Sequence, residues 1–359
     1  MGDFRGTLCH TAAWPVDLDV RDKRVGLIGT GGDGPVSASH RAKINRDYDA
    51  IMAQVQNSLF GCGFEESTRA YESVPEAERE AIFEQLWEHG NGFHFMFGGF
   101  SDISTNPVAN EAACTFIRKK IGEIVHGPEK ARILMPTDRY ARRPLCDSGY
   151  CEQFNRVNVH IVDVGAGNPI SHFAERGLVT QDGTEYELDV VMFATGFDAV
   201  DGSYTRLQIR GVGGKTLQEH WAEGGQTSYL GISVPNFPNL FVITGPQGPF
   251  TNVPPAIETQ LSRKAAAAAG TGGGSAGTVT ATAESEKMWL QTFQKIAEGS
   301  LFSGTASWLF GSNVSGTKSG VRFYLAGLRS YIQVLKMVAE KDFRGFKSLV
   351  KGSSGRMKL

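Results

Sequence analysis

A glycine-rich turn after a short apolar run is the first part of this sequence whose residue types and spacing could do chemistry. The run Val25–Ile28 has the composition of a strand. The turn after it is spaced G-x-G-x-x-G through Gly29, Gly31 and Gly34, and Thr30 is its first spacer. In dinucleotide-binding units such a turn opens a helix whose N-terminal amides face a pyrophosphate. The pattern therefore indicates a dinucleotide site.

The residues after the turn depart from that pattern. Pro35 follows Gly34, and the Ser-, His-, Lys- and Arg-rich residues beyond it lack the apolar periodicity of the expected helix. A residue that contacts the adenosine ribose normally stands about 20 positions on, at the end of a second strand. No acidic or basic residue stands in that context here. From these residues alone, a dinucleotide site and an ordinary glycine turn both stay open.

Composition argues against several other classes of site. The 359 residues have a net charge of −2, so no basic excess indicates nucleic acid or an anionic membrane as a partner. The five cysteines include no C-x-x-C and the eight histidines no H-E-x-x-H, which argues against a metal site. No apolar run is long enough to span a bilayer and no apolar leader is present, so we expect a cytoplasmic protein.

The elements that must position these residues are mixed. Apolar residues at helical spacing predict helices starting near Tyr48, Pro75 and Asn106, in a mostly helical block over residues 41–143. Further helices are expected near 257–262 and over 283–297. Residues 264–282 are of low complexity and predict a surface linker or insertion.

Strands are predicted on both sides of the helical block, whereas residues 1–19 are expected to form a loop or linker. After Val25–Ile28, strands are expected over 157–164 and 239–245. Between them, a hairpin that turns at Asp182 and Gly183 leads into a buried run over 190–194. Strands that enter glycine turns, next to helices, favour an α/β fold.

A second motif lies in the stretch FRGTLCHTAAWP, over residues 4–15. Its residues match the signature F-x-G-x-x-x-H-T-x-x-W-P at Phe4, Gly6, His10, Thr11, Trp14 and Pro15. Taken singly, the histidine and the tryptophan would be explained as a loop cap and a packing aromatic. As a set they resemble the Baeyer–Villiger monooxygenases, and later segments such as LMPTDRYARRPLCDSGY and TSYLGISVPNFPNLFVITGPQGPFTNVPP resemble the cyclohexanone monooxygenase group in the same order.

The resemblance implies an α/β fold, an incomplete Rossmann-like flavoprotein of two dinucleotide-binding domains with a helical insertion. Residues 1–19 would be a linker with the signature, and 20–40 with 144–199 a partial NADP-binding domain. Residues 41–143 would be the helical insertion and 200–359 the C-terminal part of an FAD-binding domain. Compared with the family, the chain is expected to be truncated at its N-terminus and to have an internal deletion after the glycine turn.

The family's chemistry requires FAD, NADPH, a small ketone and molecular oxygen. NADPH reduces FAD, and one oxygen atom is inserted beside the ketone carbonyl to give an ester or lactone, through an anionic peroxide and an oxyanion adduct. These anions need a fixed positive charge, and a guanidinium supplies one because it does not deprotonate. Because the FAD-binding half is expected to be missing, the chain alone is expected to be inactive.

The resemblance also assigns site residues, each of which has a structural alternative. It implies that Arg143 is catalytic and that Arg142 lies near the nicotinamide, whereas the alternative for both is a solvated surface pair. His10 and Trp14 join the catalytic set. The implied cofactor-binding residues are Gly29, Thr30, Gly31, Gly34, Arg142, Thr195, Gly196 and Trp308, and the implied flavin and substrate loop contains Pro249, Phe250, Thr251 and Asn252. Gln247 stands where the family usually has asparagine.

Two other functions stay open. A heteroatom-oxidising flavin monooxygenase is disfavoured because such enzymes match the signature only as far as the histidine. A non-catalytic remnant is also open, because loss of a helix and a strand would leave the central sheet with an unpaired edge and exposed apolar surface. The oligomeric state is not indicated.

Overall fold

The computed structural model describes residues 4–29, 37–145, 149–165, 167–196, 202–270, 278–305, 307–311 and 320–349. Within them the fold is α/β, as expected. The strands are Thr7–His10 (β1), Val25–Ile28 (β2), Ile170–Ala174 (β3), Gly177–Thr180 (β4), Glu185–Glu187 (β5), Val190–Phe193 (β6), Thr278–Ala281 (β7) and Phe346–Leu349 (β8). The helices are Ala38–Arg46 (α1), Tyr48–Asn57 (α2), Glu76–Glu88 (α3), Gly92–Gly98 (α4), Pro107–Ile124 (α5), Pro128–Leu134 (α6), Tyr150–Gln153 (α7), Gly202–Thr205 (α8), Leu217–Gly224 (α9), Val253–Gly270 (α10), Ala283–Glu298 (α11) and Gly327–Glu340 (α12).

A three-stranded parallel sheet joins the two ends of the predicted nucleotide-binding region. Its strand order is β1–β6–β2, so β6 lies in the middle and pairs with both neighbours. Val190 at the start of β6 is level with Thr7 on one side and Val25 on the other. Val190 and Val191 are buried, as the continuous apolar run over 190–194 predicted.

The expectation of a loop throughout residues 1–19 is wrong, because Thr7–His10 forms β1. Cys9 in this strand is buried against Val190 and Met192, and Leu18 and Val20 cover the same cluster. Pairing with β6 satisfies the backbone of β1, a long-range contact that local composition does not reveal.

The predicted hairpin is confirmed. It consists of β4 and β5 in antiparallel pairing, and β3 is added on the other side of β4. The turn contains Asp182 and Gly183, whose φ of 85° is the left-handed conformation that glycine adopts without a steric cost. The hairpin therefore leads directly into β6, as the sequence indicated.

An ion-pair network fastens the starts of β2 and β6 to each other. The Arg24 guanidinium donates to Asp189 at 2.8 Å and to Glu187 at 2.6 Å, and the Arg24 amide also donates to Asp189 at 2.8 Å. These hydrogen bonds from Arg24 lower the pKa of Asp189 to about 2. The carboxylate of Asp189 is thus held in its charged form in the folded protein.

Replacing Asp189 by asparagine is expected to remove part of the acid sensitivity of folding. A carboxyl group whose pKa is lower in the folded state stabilises the protein above its unfolded pKa of about 4, and that stabilisation is lost as the pH falls toward 2. The melting temperature of Asp189→Asn should therefore fall less steeply than that of the wild type between pH 5 and pH 2. The exposed Asp22→Asn is the control, and an unchanged slope for Asp189→Asn would contradict the prediction.

The helical block between β2 and β3 follows the predicted pattern. Helix α3 begins at Glu76, directly after Pro75, and Gly90 lies just past its end with a φ of 74°. Helix α5 begins at Pro107, where the Asn106 side chain accepts hydrogen bonds from the amides of Val108 and Ala109. Phenylalanines of α3, α4 and α5 form the largest core cluster, among them Phe83, Phe95 and Phe116. Whether 41–143 is a separate insertion stays a prediction.

The strands expected over 157–164 and 239–245 do not form. In the first segment, the Lys130 ammonium donates to the Val159 carbonyl at 2.7 Å, so a side chain occupies an acceptor that a strand would need. In the second, only Phe241 makes an isolated bridge, to Ser233, and the backbone at Asn239 and Thr244 has positive φ. Apolar composition alone does not supply a partner strand.

The low-complexity segment is only partly a linker. Helix α10 extends to Gly270, and β7 occupies Thr278–Ala281, where it pairs antiparallel with β8. Val279 and Ala281 of β7 are buried, which explains why these residues are ordered as a strand. Helix α11 then runs over Ala283–Glu298, as predicted.

Within the described ranges, strand β2 is an edge of the parallel sheet. Its side chains are partly open to solvent, with Val25 38% and Leu27 58% exposed. The exposed apolar edge that the sequence led us to expect is therefore present at β2. Among the described residues, no helix has the length and apolar character needed to cross a membrane.

Candidate active site

A cavity of about 500 Å³ contains most of the predicted catalytic and substrate residues. Arg143 and the predicted loop residues Pro249, Phe250, Thr251 and Asn252 all line it. The remaining lining residues either flank that loop or come from three other places in the chain: Phe60, Cys62, Gly63, Phe64, Asn91, Phe93, Thr244, Gly245, Gly248, Val253, Ala256 and Phe323. Residues distant in sequence thus meet in one concave site, the usual setting for a small-molecule ligand.

The loop after α2 and the predicted substrate loop are joined by hydrogen bonds. The Thr251 hydroxyl and the Asn252 amide both donate to the Phe60 carbonyl, and the Asn252 side chain donates to the Gly61 carbonyl at 3.0 Å. Gly61 has a φ of 68°, and a Cβ there would stand 2.6 Å from the Thr251 hydroxyl oxygen. A glycine is therefore required where the two loops meet.

Aromatic rings form the apolar part of the wall. Phe60 stacks on Phe97 with ring centroids 3.7 Å apart and meets Phe250 edge-on at 6.2 Å. Phe250 in turn meets Phe302 and Phe323 edge-on, each at 5.8 Å. Because these rings hold one another, the wall is rigid as well as apolar, which favours an apolar ligand and limits the entry of water.

Arg143 brings a cation to this wall. Its guanidinium carbon lies 5.5 Å from the centroid of the Phe93 ring. Within the described part of the chain, no carboxylate lies within salt-bridge distance of it, and its side chain is exposed. An arginine with aromatic support and without a carboxylate partner suits an anionic or strongly polar ligand group.

Arg142 lies differently. It forms an ion pair with Asp138, four residues earlier, and both side chains are more than half exposed. Arg142 is not among the residues that line the cavity. For Arg142 alone, the described geometry is that of a solvated surface residue, and its implied contact with a nicotinamide stays a prediction.

Gln247 belongs to the interior and not to the cavity wall. It is 1% exposed and has a φ of 68°, a conformation that is uncommon for residues other than glycine and asparagine. Its side-chain oxygen accepts from the Ser228 amide at 3.3 Å, its own amide donates to the Arg322 carbonyl at 2.8 Å, and its carbonyl accepts from Trp289. Gln247 thus fastens the loop whose neighbours Gly245 and Gly248 line the cavity.

Replacing Gln247 by leucine is expected to lower the free energy of unfolding by about 1–3 kcal/mol, because the buried Ser228 amide loses its acceptor. The change keeps the size of the side chain, so the lost hydrogen bond dominates. Denaturation in urea would measure it, with the exposed Gln153→Leu as the matched control. Equal stabilities of the two variants would contradict this role.

A second group of predicted residues lies at the carboxyl edge of the parallel sheet. His10 ends β1, Gly29 follows β2, and Thr195 and Gly196 follow β6. His10 and Ile28 are both level with Phe193 of the middle strand, so these three strand ends share one edge. The carboxyl edge of a parallel sheet is where α/β proteins bind nucleotides.

Gly29 has the backbone geometry that such an edge requires. Its φ is 131°, and a Cβ on it would stand 2.2 Å from the Ala194 carbonyl oxygen. The Ala194 amide donates to the Ile28 carbonyl at 2.7 Å, which fixes the two strand ends together. The residue is therefore a glycine for a steric reason, because any side chain would collide with the residue that follows β6.

The remaining predicted residues are less informative. Trp14 is 46% exposed, and the His10 side chain accepts a hydrogen bond from the Ala12 amide at 3.0 Å, a loop cap at the end of β1. Thr30, Gly31 and Gly34 lie outside the described residues, and of Trp308 only the backbone is described, in a 3₁₀ helix over Trp308–Phe310.

Sequence reasoning assigned no role to several wall residues. Phe60, Phe64, Asn91, Phe93 and Phe323 lie in the cavity wall without having been predicted as site residues. The available signal was the density of phenylalanine between glycines in FGCGF and GFHFMFGG. That signal is also typical of a core, and only the packing separates the two.

Burial raises the pKa of the Cys62 thiol in the wall to about 12, and the nearby Glu66 carboxylate adds to this. The thiol is therefore protonated at neutral pH and is a poor nucleophile. In the part of the chain that the structure describes, no group of three or more histidine, cysteine or acidic side chains could hold a metal ion.

Comparison with known proteins identifies the family. The chain is 42% identical to a Baeyer–Villiger monooxygenase of Pseudooceanicola batsensis, over 97% of this chain and 69% of that protein. The chain belongs to the Baeyer–Villiger monooxygenases. It is also 42% identical to a phenazine N-monooxygenase of Lysobacter antibioticus, over 96% of this chain and 69% of that enzyme. No protein-family model matches the chain.

A solved structure agrees with this membership. Cyclohexanone monooxygenase from Rhodococcus sp. Phi1, bound to NADP⁺, superposes with a TM-score of 0.90 at 45% identity, over 97% of this chain and 71% of that one. The expected family, fold class and family cofactors, FAD and NADP(H), are therefore confirmed.

The alignment also bears on the expected internal deletion. It extends over 373 residues for the Lysobacter enzyme, which exceeds the 359 residues of the whole chain. That relative therefore has residues without a counterpart in this Baeyer–Villiger monooxygenase. That the missing segment follows Gly34 stays a prediction.

Proposed function

We propose that this chain forms the ketone-binding and NADPH-binding parts of a monooxygenase that inserts one atom of O₂ beside a ketone carbonyl and so forms an ester or lactone. The observation that supports this most is the single cavity that unites Arg143 with Pro249–Asn252, although these residues are more than 100 positions apart. Membership of the Baeyer–Villiger family supplies the reaction type.

The wall residues suit the demands of that reaction. Bound FAD, reduced by NADPH, supplies the activated oxygen. Phe60, Phe93 and Phe250 offer an apolar surface for the carbon skeleton of a ketone and restrict water. The Arg143 guanidinium stabilises negative charge that develops on oxygen, and it does so at every physiological pH because it does not deprotonate.

The carboxyl edge of the parallel sheet suits a nicotinamide dinucleotide. We assign the phosphates to the Gly29 turn, where a side chain would collide with the Ala194 carbonyl. Thr195 and Gly196 at the end of β6 would lie beside the same ligand, and Gly196 has a φ of 87° with open space where a Cβ would be. His10 and Trp14 would border it from the end of β1.

The test is retention of flavin by the purified chain. The chain is incubated with FAD, passed through a desalting column, and examined by visible spectroscopy and by NADPH oxidation with cyclohexanone. Retained flavin with a shifted spectrum, together with lactone formation, would support the proposal. A colourless chain that forms no lactone is the result that a missing FAD-binding half predicts, whereas a chain that also binds neither NADP⁺ nor cyclohexanone would contradict the proposal.

A second candidate function is oxidation of a ring nitrogen. The observation that favours it is the 42% identity to an enzyme named as a phenazine N-monooxygenase. The flavin-loaded chain should be offered phenazine and cyclohexanone in parallel. Formation of the N-oxide without lactone would favour this candidate over ketone oxygenation.

A further inference from the structure

Two side chains of the cavity wall have hydrogen-bond donors without a partner among the described residues. Across the described residues, neither the Arg143 guanidinium nor the Asn91 side-chain NH₂ has a hydrogen-bond partner. The other side-chain donors of the wall all donate to backbone carbonyls; they are Cys62, Thr244, Thr251 and Asn252. The side chains of Arg143 and Asn91 therefore can donate hydrogen bonds to a polar ligand atom in the cavity.

The orientation of the Asn91 amide is set by its own helix. Its Oδ1 accepts from the amides of Phe93 and His94 at 3.0 and 3.1 Å, which makes Asn91 the N-terminal cap of α4. Because those two bonds use the oxygen, the side-chain nitrogen points away from the helix. The Phe93 and His94 amides are thereby satisfied, and the Asn91 side-chain nitrogen is left as a donor.

Asn91 and Arg143 lie in adjoining segments. The Tyr140 hydroxyl donates to the Gly92 carbonyl at 3.1 Å, and a Cβ on Gly92 would stand 2.2 Å from the Leu145 carbonyl oxygen. Arg143 lies between these two contacts and covers the Phe93 ring. The segment over 140–145 is therefore packed along the residues that follow Asn91.

We propose that Asn91 is a second hydrogen-bond donor to the carbonyl oxygen of the substrate, beside Arg143. This rests on the proposed ketone oxygenation. The carbonyl oxygen gains negative charge when an oxygen atom adds to its carbon, and donors held in place before the reaction stabilise that charge without reorganisation. The cap bonds hold Asn91, and the Phe93 ring supports Arg143.

The test uses a variant that keeps the helix cap and removes the donor. Asn91→Asp retains an oxygen that can accept from Phe93 and His94, because aspartate caps helices as well as asparagine does. It places a carboxylate where the NH₂ was. Asn91→Ser is a second variant that caps without an amide. Ser37→Asp is the control, because it adds a carboxylate to the exposed cap of α1, which does not line the cavity.

Cyclohexanone labelled with ¹³C at the carbonyl is the probe. Hydrogen bonds lower the carbonyl stretching frequency, so infrared difference spectra report the donors directly, whereas a merely structural role would not move this band. We expect Asn91→Asp to raise the bound frequency and to weaken binding about ten-fold, with Asn91→Ser in the same direction and Ser37→Asp unchanged. An unaltered band and affinity in both Asn91 variants would overturn the proposal. Failure of the wild type itself to bind the ketone would overturn the proposed function as well.

Discussion

In a flavin-loaded chain that forms lactone, replacing Arg143 by alanine is expected to reduce the rate by about 100- to 1,000-fold, the usual effect of removing a preorganised donor to a developing oxyanion. The cavity contains no other cation among the described residues that line it. Independently of turnover, the affinity for cyclohexanone should fall about ten-fold or more, because a charged hydrogen-bond donor is lost. Gas chromatography of the lactone and titration of the ketone measure the two effects.

Two further variants make the Arg143 prediction specific. Arg143→Lys keeps the charge but not the planar fork of donors, so an intermediate rate is expected. Arg132→Ala removes an exposed arginine that is paired with Glu129 outside the cavity wall, so its rate should stay near that of the wild type. Equal losses for Arg132→Ala and Arg143→Ala would contradict the assignment of Arg143 to the reaction.

Replacing Gly29 by alanine is expected to destabilise the protein by about 3 kcal/mol or more. Two costs combine, since the φ of 131° is strained for any side chain and the new Cβ would meet the Ala194 carbonyl oxygen at 2.2 Å. Relief of that collision requires the ends of β2 and β6 to separate. The NADP⁺ binding that we propose at this carboxyl edge of the sheet should therefore weaken as well. Urea denaturation and NADP⁺ titration by calorimetry measure the two consequences.

Gly224→Ala is the matched control for Gly29. Gly224 ends α9 and has no atom within 4 Å of the position that a Cβ would take. Alanine there should leave stability unchanged or slightly higher, because it restricts the unfolded chain. A Gly29→Ala protein as stable as this control, with unchanged NADP⁺ affinity, would contradict the close approach of the two strand ends.

The helices of this protein could be predicted well from its sequence, because their signals are local. Asn106 before Pro107 defines the start of α5, and Pro75 precedes the start of α3. A cap and its helix are neighbours in sequence, so residue type and spacing contain the necessary information. The hairpin at Asp182 and Gly183 was predictable for the same reason.

The predicted strands formed only where a neighbouring strand accepts their backbone hydrogen bonds. The apolar residues over 239–245 resemble those of β6, yet only β6 has strands on both sides to accept its backbone hydrogen bonds. Conversely, Thr7–His10 has little strand character by itself and forms β1 because β6 offers it an edge. Pairing is a long-range property, and composition reports it poorly.

The sequence by itself determined the family, through the signature over 4–15, and it singled out Arg143 and Pro249–Asn252 as site residues. Only the tertiary structure decided that these residues share one cavity with Asn91 and a wall of phenylalanines, and that Arg142 and Gln247 lie outside it. The physical reason is that a residue type sets what a side chain can do, whereas chain packing sets which groups it meets. Gln247 and Asn91 carry the same amide group. Only their surroundings in the fold show that Gln247 fixes a loop by hydrogen bonds, whereas Asn91 has a donor directed at the cavity.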